Sequence, residues 1–510
     1  MSLTDVDPIC VIIGRTRHKM VLAEIQEAAK RGARLIEVRL DFLAKAPDFK
    51  RLLAEKPCPM VATVRRREDG GRWAGAEDER RMLLRQCIVG GFDWVDLETD
   101  VADAIPRFGE VRRIVSYHNM RETPDDLEKI HEAMCKQDAD VVKLAVRAQK
   151  PSDGLRVLAL MEKPAKPTVG IAMGDVGLFT RLLGGKYGAP FTYAAFNKDR
   201  AIAPGLPSFH ELTQIYHYHK INADTQVFGV LGDPVAHSLS PLIHNEAFRA
   251  AGLNAVYLPF RVARADLTTF LKEFDRIPVR GYSVTIPHKE AVVAAAQHRD
   301  PAVVETQAAN TLVRAEDGLH AYNTDFTGVL ETLRARLTGE EEGMSPLHDK
   351  AILVLGAGGV ARAVTYAVRR EGALVTIANR TPERGHKLAE EVGCRNVDWA
   401  ARHNVICDIL INCTSVGMHP NVDESPVHPS FLKPGLTVFD TVYTPETTLL
   451  VKEARDRGCT VVTGVELFVR QAALQFQLFT GREAPVELIG KVVKRTLSPV
   501  AIRADEEDEP

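Results

Sequence analysis

The sequence has no apolar run of the roughly 18 residues that a membrane-spanning helix needs, which argues against an integral membrane protein. It also has no excess of positive charge: the formal net charge is −3, so there is no basic field to attract nucleic acid or an anionic membrane. The first residues, MSLTDVDPIC, carry no secretory signal and no Ser/Arg-rich presequence. We therefore predict a cytoplasmic protein whose partners are small molecules. The sequence does not indicate an oligomeric state.

Cysteine is present without a pairing pattern. The eight cysteines are scattered and none forms a C-x-x-C motif, which is typical of reduced, mostly buried thiols. Histidine offers no metal pattern either, because His217 and His219 lie two residues apart, a poor spacing for one helix face. We predict no metal site. The terminal DEEDEP predicts an acidic, solvated tail over residues 498–510.

What the chain does contain is a regular alternation over its first 220 residues. Segments with helical character separate most of eight short β-rich runs. The runs are Val11–Gly14, Leu35–Leu40, Met60–Arg65, Trp94–Glu98, Arg113–His118, Val141–Val146, Thr168–Met173 and Phe191–Phe196. Eight strand–helix repeats in about 200 residues predict an α/β fold that begins with a (β/α)₈ TIM barrel over residues 1–220.

Polar residues stand where the predicted strands end, which is where such barrels place catalytic groups. Glu37, Arg39 and Asp41 alternate at the end of the second run, and a period of two puts them on one face. The third run ends at Arg65 and the fifth at His118. We expect these side chains to face one site.

Lys143 lies among apolar residues of the sixth run, where a charged amine is costly to bury. The neutral amine that burial favours is a nucleophile, and His118 on the neighbouring strand could move protons. Alternatively, Lys143 extends to solvent or pairs with Glu37. The pattern alone leaves these interpretations open.

Six motifs in this region follow the order in which one enzyme family has them. They are IEVRLD, TVR, Gly70-Gly71, SYH, VKLAV and Arg181. Together they resemble type I 3-dehydroquinate dehydratases over nearly all of residues 8–220. The resemblance implies that Lys143 forms a Schiff base with the ring ketone of the substrate. It implies that His118 removes a proton from the adjacent carbon and helps water to leave.

The same resemblance implies four substrate-binding side chains. Glu37 and Arg39 would hold ring hydroxyls or neighbouring side chains, and Arg65 and Arg181 would supply positive charge. Arg181 would bind the substrate carboxylate, and the two arginines would also help to keep Lys143 neutral.

Three positions depart from the family pattern. Asp69, a further candidate at the substrate, stands where the family often has Glu. The late lid motif Ser-Ala-Pro-Gly-Gln reads Ile202-Ala203-Pro204-Gly205-Leu206 here, so two polar lid residues are apolar. This puts substrate closure in question and leaves an impaired dehydratase half as an alternative.

A polar segment, HYHKINADTQ, follows the predicted barrel, and we place a linker at residues 221–226. A new strand, Val227–Leu231, then leads into GDPVAHSLSP, where Ser238 and Ser240 could both face a polyhydroxylated ligand. Ser240 could equally cap a helix that has Pro241 at its first position, and both roles are compatible.

Three polar residues follow on separate predicted strand ends. Lys289 ends the run SVTIPHK, Asn310 lies in AANT, and Asp325 lies in YNTD. They could converge on one small polar ligand. Taken singly, Lys289 is more often a surface lysine.

A dinucleotide-binding motif comes next. The apolar strand Ile352–Leu355 is followed by Gly356-Ala357-Gly358-Gly359-Val360-Ala361 and a helical stretch, as a G-x-G-x-x-A fingerprint requires. A second strand, Leu374–Ala378, ends in Asn379-Arg380-Thr381, where an NAD-binding protein usually has an acid. Arg380 and Arg384 suit a 2′-phosphate, so we predict NADP as the cofactor. Otherwise the two arginines are a solvated helix start.

These motifs, with TSVGM at 414–418 and the run from Asp440 to Thr448, resemble shikimate dehydrogenases over about residues 227–495. The resemblance implies a substrate domain over 227–330, a Rossmann NADP domain over 331–447 and returning helices over 448–497. It implies that Lys289 and Asp325 are the catalytic pair. Substrate binders would be Ser238, Ser240, Thr285, Asn310 and Gln471, and residues bordering the nicotinamide would be Thr414, Val416, Met418 and Gly464.

The two resemblances supply consecutive reactions, and the run GVELFVRQ at 464–471 is similar to the plant-type bifunctional enzymes. A quinate/shikimate dehydrogenase with an impaired dehydratase half is the alternative. Quinate use goes with smaller residues at the positions of Ser240 and Thr285, so shikimate is favoured. A Schiff-base aldolase and a non-catalytic sensor with a decayed barrel are weaker readings; only Ile202 and Leu206 point to the second.

Overall fold

The computed structural model describes residues 6–236, 238–337 and 345–497, so the predicted tail at 498–510 lies outside the described residues. The chain divides into two compact units. The first comprises Met1–Asn245 and Leu253–Val279, and the second comprises Glu246–Gly252 and Arg280–Pro510. Within the described residues, none of the helices combines the length and apolarity needed to cross a membrane.

A parallel eight-stranded barrel forms most of the first unit. Neighbouring strands follow chain order from β1 to β7, and β8 pairs with β1. The strands are β1 (Ile9–Ile13), β2 (Ile36–Arg39), β3 (Met60–Thr63), β4 (Trp94–Glu98), β5 (Arg112–Asn119), β6 (Val141–Arg147), β7 (Thr168–Met173) and β8 (Thr192–Ala195). The predicted barrel is confirmed, with strand ends within about two residues of those expected.

The predicted second strand is too long. β2 ends at Arg39, and residues Leu40–Phe42 form a short 3₁₀ turn, so Asp41 does not continue the strand face. Asp41 nevertheless reaches Arg39, and it also accepts a hydrogen bond from the backbone N–H of Arg72. The predicted alternation of side chains along one strand face therefore stops at Arg39.

Helices cover the outside of the barrel in the order expected for βα repeats. They are α1 (His18–Lys30), α2 (Phe49–Leu53), α3 (Glu77–Val89), α4 (Leu127–Lys136), α5 (Pro151–Ala159) and α6 (Leu178–Leu183). Local sequence explains several starts: Asp48 caps α2, three acids fill the first turn of α3, and Pro151 opens α5.

Alternate residues of the barrel strands converge in one apolar cluster. It includes Cys10 and Ile12 of β1, Val141 and Ala145 of β6, and Tyr193 of β8. Since side chains alternate along a strand, Lys143 shares the inward face of Val141 and Ala145. This period places the predicted nucleophile inside the barrel.

The first unit also contains the parallel pair β9 (Gln226–Gly232) and β10 (Ala255–Arg261), followed by α8 (Leu267–Glu273). Phe179 of α6 packs against Phe260 and Phe274, with ring centroids 5.8 and 5.2 Å apart. The helix between β9 and β10 is α7 (Ser240–Ala250). Apolar packing therefore joins the end of the barrel to this strand pair.

The second unit contains two groups of strands. In the first group the order is β11-β13-β14-β12, formed by β11 (Val279–Val284), β12 (His298–Arg299), β13 (Thr311–Ala315) and β14 (Gly318–Tyr322). The associated helices are α9 (Pro301–Thr306), α10 (Thr324–Arg336), α14 (Gly464–Thr480) and α15 (Val486–Leu497). Helices α10 and α14 pack together, so the C-terminal helices return to this group.

The second group is a parallel Rossmann sheet, ordered β17-β16-β15-β18-β19-β20. Its strands are β15 (Ala351–Leu355), β16 (Leu374–Asn379), β17 (Arg395–Asp398), β18 (Ile409–Asn412), β19 (Thr437–Asp440) and β20 (Thr460–Val462), with α11 (Gly359–Arg370), α12 (Pro382–Val392) and α13 (Leu449–Asp456). Ile352 and Val354 face one core cluster while Leu353 and Leu355 face the other. Strand order reverses between β15 and β18, which is where such sheets bind ligands.

Candidate active sites

Lys143 lies on the inner face of β6 with 6% of its surface exposed. Its Nζ donates a hydrogen bond to Asp96 Oδ2 at 3.0 Å and lies 3.9 Å from Glu37 Oε2. The ring of Tyr193 faces the amine, with its centroid 4.2 Å from Nζ. The amine is therefore held inside the barrel, and it does not extend to solvent.

Asp96 is the centre of a buried charge network that the sequence interpretation did not single out. It accepts a hydrogen bond from Ser116 Oγ at 2.6 Å and pairs with Arg65 Nη2 at 2.7 Å. Burial alone would raise the pKa of Asp96, but the charges of Arg65 and Lys143 outweigh it and hold that pKa far below its usual range. Asp96 is thus a permanent anion beside Lys143.

Arg65 follows β3 and is only 2% exposed. Besides Asp96, it pairs with Glu98 Oε1 at 2.8 Å, and Glu98 in turn binds the fully buried Arg80 at 2.6 Å. Although burial opposes the charge of Arg65, the two carboxylates raise its pKa above the ordinary value. Much of the positive charge expected from Arg65 is therefore already balanced.

His118 lies on β5, two residues closer to the carboxyl ends of the strands than Lys143. The strand register pairs Ser116 with Lys143 and His118 with Ala145. Burial, together with the positive charges of Arg65 and Lys143, lowers the pKa of His118 well below its usual value. Its buried Nδ1 has no hydrogen-bond partner among the described residues. His118 is thus a neutral imidazole at neutral pH.

Arg181 lies on α6 and is 3% exposed, and within the described part of the chain it has no ion pair. Its buried Nε lacks a hydrogen-bond partner there as well. Burial lowers the pKa of Arg181 to about 10, so the group stays protonated at neutral pH. A buried cation without a protein anion is a suitable partner for a ligand carboxylate.

Two other side chains predicted to bind substrate form ion pairs within the protein. Arg39 forms a bidentate salt bridge with Asp41, with hydrogen bonds of 2.8 and 2.9 Å, and lies 3.9 Å from Glu37. Asp69 pairs with Arg66 at 2.7 Å. The Oε2 atom of Glu37 is buried without a hydrogen-bond partner among the described residues, which leaves it open to a ligand hydroxyl.

The apolar lid residues pack onto the barrel interior. Leu206 is 8% exposed and belongs to the inner cluster, and Ile202 packs against that cluster. The lid backbone is fixed too, because Gly174 N donates to Pro204 O at 3.2 Å. The lid therefore lies against the barrel interior through apolar side-chain contacts and at least one backbone hydrogen bond.

The second predicted pair lies in the second unit. Lys289 Nζ donates a hydrogen bond to Asp325 Oδ2 at 2.7 Å, and Asp325 lies in the first turn of α10. A Cβ built on Gly359 would lie 3.5 Å from Lys289 Cδ. The structure therefore places the pair beside the first residue of α11, at the predicted dinucleotide turn.

Asn310 lies at the centre of a polar network near this pair. Its Nδ2 donates to Thr324 Oγ1 at 2.9 Å and to Gln471 Oε1 at 3.3 Å. Gln475, which the sequence interpretation missed, donates to Asn310 O at 3.2 Å and accepts from Ser283 Oγ at 2.7 Å. It lies one helical turn beyond Gln471, and that spacing could have revealed it.

The remaining predicted substrate residues are partly exposed. Thr285 follows β11 and is half-buried. Ser238 and Ser240 lie in the first unit, before and at the start of α7. The expected cap at Ser240 is wrong: the helix begins there, and Ser238 Oγ accepts the hydrogen bond from Ser240 N at 3.3 Å.

The glycine fingerprint forms a tight turn between β15 and α11. Gly356 has φ +111°, and its N–H donates to Ala378 O at 2.9 Å. A side chain at Gly356 would meet Cys413 O at 3.0 Å, whereas the space beside Gly358 is open. Ala357, Val360 and the N-terminus of α11 border this space, which suits a pyrophosphate, and Ala361 is buried behind it.

Arg380 and Arg384 lie just after β16 and are exposed. Within the described part of the chain neither forms an ion pair, while Asn379 holds the turn by donating to Thr381 O at 2.7 Å. Two uncompensated cations at this strand end fit a 2′-phosphate.

Residues predicted at the nicotinamide occupy the opposite side of the switch point. Thr414 donates to Asn412 Oδ1 at 2.7 Å and accepts from Val416 N, and Met418 is 45% exposed. Gly464 opens α14, where a Cβ would collide with Val442 O. Close backbone approach therefore accounts for the glycine at position 464.

Family models match both parts of the chain. Type I 3-dehydroquinase matches residues 9–223, and the shikimate dehydrogenase substrate binding domain matches 230–312. Shikimate / quinate 5-dehydrogenase matches 340–431, and the shikimate 5′-dehydrogenase C-terminal domain matches 464–494.

Similar proteins cover the chain whole or in part. The bifunctional 3-dehydroquinate dehydratase/shikimate dehydrogenase, chloroplastic, of Arabidopsis thaliana is 38% identical over 510 residues, covering 96% of this chain and 84% of that protein. The NADP(+) shikimate dehydrogenase of Moorella thermoacetica is 41% identical over 289 residues, 54% of this chain and 96% of that protein. A solved shikimate dehydrogenase in complex with NADP+ is 32% identical with TM-score 0.51, covering 54% of this chain and 97% of that one.

Proposed function

The chain belongs to the family of bifunctional 3-dehydroquinate dehydratase/shikimate dehydrogenases, and we propose that its two reactions take place at Lys143 and at the Lys289–Asp325 pair. It dehydrates 3-dehydroquinate to 3-dehydroshikimate and reduces that product to shikimate with NADPH. The observation that carries this proposal is that each half holds a lysine against a buried carboxylate, Asp96 in one and Asp325 in the other.

In the dehydratase half, the amine of Lys143 attacks the ring ketone, and loss of water gives an iminium ion. The iminium nitrogen carries a positive charge, because a proton is taken up when the hydroxyl of the adduct leaves as water. Asp96 and Glu37, which lie 3.0 and 3.9 Å from Nζ, would compensate that charge. The iminium then withdraws electrons and makes the adjacent carbon acidic.

His118 would take the proton from that carbon. Its lowered pKa keeps the imidazole neutral, as a general base must be. The resulting imidazolium returns the proton to the departing hydroxyl, so that water leaves and the ring double bond forms. Hydrolysis of the product iminium then restores Lys143.

Substrate orientation in this half depends on groups around the amine. Arg181 would bind the carboxylate, because it is a buried cation with no protein anion in the described residues. Glu37 and Arg39 would hold ring hydroxyls, with Arg65 and Asp69 supporting the site from their own ion pairs.

In the reductase half, bound NADPH supplies the hydride. Lys289 would donate a proton to the carbonyl oxygen, and Asp325 would orient the amine through the 2.7 Å hydrogen bond. Asn310 and Gln471, which share a hydrogen bond, would hold substrate hydroxyls together with Thr285.

The cofactor would lie along the carboxyl ends of the Rossmann strands. The turn from Gly356 to Ala361 would hold the pyrophosphate, and the segment Asn379–Thr381 with Arg384 would hold the 2′-phosphate. Thr414, Val416, Met418 and Gly464 would border the nicotinamide. Shape and charge in this region fit the NADP of the relatives.

We also propose the domain limits 1–220, 227–330, 331–447 and 448–497, and a cytoplasmic location. All eight cysteines are free, which suits a reducing compartment.

Two variants test the assignment of one reaction to each lysine. Lys143→Ala should abolish formation of 3-dehydroshikimate and borohydride trapping of substrate on the protein, while NADPH oxidation with added 3-dehydroshikimate continues. Lys289→Ala should show the converse, with at least a ~100-fold loss of reductase kcat. Trapping that persists in Lys143→Ala would show that the Schiff base forms elsewhere.

A further inference from the structure

A cluster of two histidines and one aspartate lies on the edge of the β11–β14 sheet. The ligand atoms of His298, Asp317 and His320 all lie within 4.8 Å of one another. His298 Nε2 is 3.0 Å from Asp317 Oδ2, and His320 Nε2 is 2.8 Å from Asp317 Oδ1. Neither predicted reaction uses these residues.

The backbone holds the three side chains in place. β12 and β14 are parallel, and their register puts His298 opposite His320, so both imidazoles stand on the same side of the sheet. Their ring centroids are 4.4 Å apart. Asp317 lies in the two-residue hairpin loop between β13 and β14, which are paired up to Ala315 and Gly318.

Gln297 fixes the relative position of the two strands. Its backbone N–H donates to Leu319 O at 3.0 Å, and its side-chain Oε1 accepts from Leu319 N at 2.7 Å. Because Gln297 precedes His298 and Leu319 precedes His320, these bonds keep the two imidazoles level. The arrangement therefore does not depend on the His–Asp contacts alone.

We propose that His298, Asp317 and His320 form a binding site for a divalent first-row transition metal ion such as Zn²⁺. Imidazole and carboxylate are ligands that Zn²⁺ prefers, with bonds of about 2.0–2.2 Å. Tetrahedral geometry with such bonds separates ligand atoms by about 3.3–3.5 Å. The present 2.8 and 3.0 Å contacts run to the two different oxygens of Asp317, and the ligand atoms all lie within 4.8 Å of one another, so rotations of these side chains are needed to centre an ion among them.

Access and charge support the site. The side chains of His298, Asp317 and His320 are 50%, 58% and 26% exposed, so an ion reaches them directly and water can complete its coordination. Asp317 supplies a carboxylate between the two imidazoles. Bound metal would tie the two-residue edge strand β12 to the hairpin β13–β14.

The sequence did not reveal this cluster. His298 lies 19 residues before Asp317, and no short-range metal spacing joins them. The expectation of no metal site rested on spacing alone, whereas strand pairing brings these residues together.

The test is isothermal titration of the metal-free, full-length chain with ZnCl₂ near pH 7.5. The wild type should bind one Zn²⁺ that His298→Gln, Asp317→Asn and His320→Gln each weaken by at least ~10–100-fold. His386→Gln, which removes an exposed histidine on α12, is the matched control and should bind like the wild type. Zn²⁺ should also raise the Tm of the wild type and of the control, but not of the three variants.

Identical isotherms for the wild type and the three cluster variants would overturn the proposal and leave Asp317 as a bridge between two imidazoles only. Equal weakening in His386→Gln would overturn it as well, since binding would then be adventitious. Circular dichroism of each variant confirms that lost binding does not reflect unfolding.

Discussion

At the scale of single residues, the barrel site depends on Asp96, which links Lys143 to Arg65. Asp96→Asn removes the carboxylate that Lys143 and Arg65 share and leaves them only Glu37 and Glu98 as neighbouring acids. Breaking a buried pair in this way costs about 3–5 kcal/mol. We expect a lower barrel stability in urea and a fall in dehydratase kcat/KM, with reductase activity retained. Glu128→Gln, which breaks an exposed pair with Arg156, should change stability by less than about 1 kcal/mol. Equal effects of the two substitutions would contradict the network.

If His118 is the general base, as we propose, its protonation sets the acid side of the dehydratase pH profile. Burial lowers its pKa well below the usual value, so protonation of the base comes at lower pH than for an ordinary histidine. The dehydratase kcat/KM should therefore hold as the pH falls from 7.5 through about 6.5 and decline only below that value. A half-maximal point at or above pH 6.5 would contradict the assignment of His118 as the neutral base.

We propose that Arg380 and Arg384 set the preference for NADPH over NADH. Arg380→Ala should raise the KM for NADPH by about 10–100-fold, because a charged hydrogen bond contributes about 1.5–3 kcal/mol, and should leave the KM for NADH nearly unchanged. Arg395→Ala is the matched control: Arg395 is exposed at the amino end of β17, away from the carboxyl edge. If Arg380→Ala weakens binding of NADPH and NADH equally, Arg380 does not bind the 2′-phosphate.

At the scale of elements, the lid is fixed by apolar packing. Leu206→Ser removes a buried side chain from the inner cluster and should increase hydrogen exchange of the amides at 200–206 in the ligand-free enzyme. Val89→Ser, at a position 66% exposed on α3, should leave this exchange unchanged. Unchanged lid exchange in Leu206→Ser would show that polar backbone contacts hold the lid by themselves.

Elements were more predictable than the contacts between them. The alternation of apolar runs with helical segments fixed the barrel and the Rossmann sheet, because these patterns are local in sequence. Lys143 and His118 became candidates for the same reason, because polar residues in buried strands stand out. Asp96 and Glu98 carry that signal too, two residues apart in β4, but their partners Lys143 and Arg65 are 47 and 33 residues away.

Other features could not be read locally at all. In the short 3₁₀ turn at Leu40–Phe42, Asp41 binds Arg39 and the backbone of Arg72, a residue that follows the neighbouring strand β3. The apolar residues Ile202 and Leu206 suggested an impaired lid, because the residues they pack against lie on other strands and are distant in sequence. The histidine–aspartate cluster depends on the pairing of β12 with β14. In each case tertiary contact, rather than local pattern, decides the role of the residue.

At the scale of the whole molecule, the two reactive lysines belong to separate compact units, so loss of one should leave the other working. A mixture of Lys143→Ala and Lys289→Ala should convert 3-dehydroquinate to shikimate, because the intermediate diffuses between molecules. Each variant alone should form no shikimate. A mixture that stays inactive would mean that the halves depend on each other within one chain.

The central claim is that one chain performs both consecutive reactions. The most direct measurement adds 3-dehydroquinate and NADPH to the purified wild-type protein, without a helper enzyme, and follows NADPH absorbance and shikimate formation. We predict that NADPH falls and that shikimate appears in equal amount. If NADPH is not consumed from 3-dehydroquinate, although 3-dehydroshikimate is reduced in the same cuvette, the barrel is not a working dehydratase and the account is contradicted.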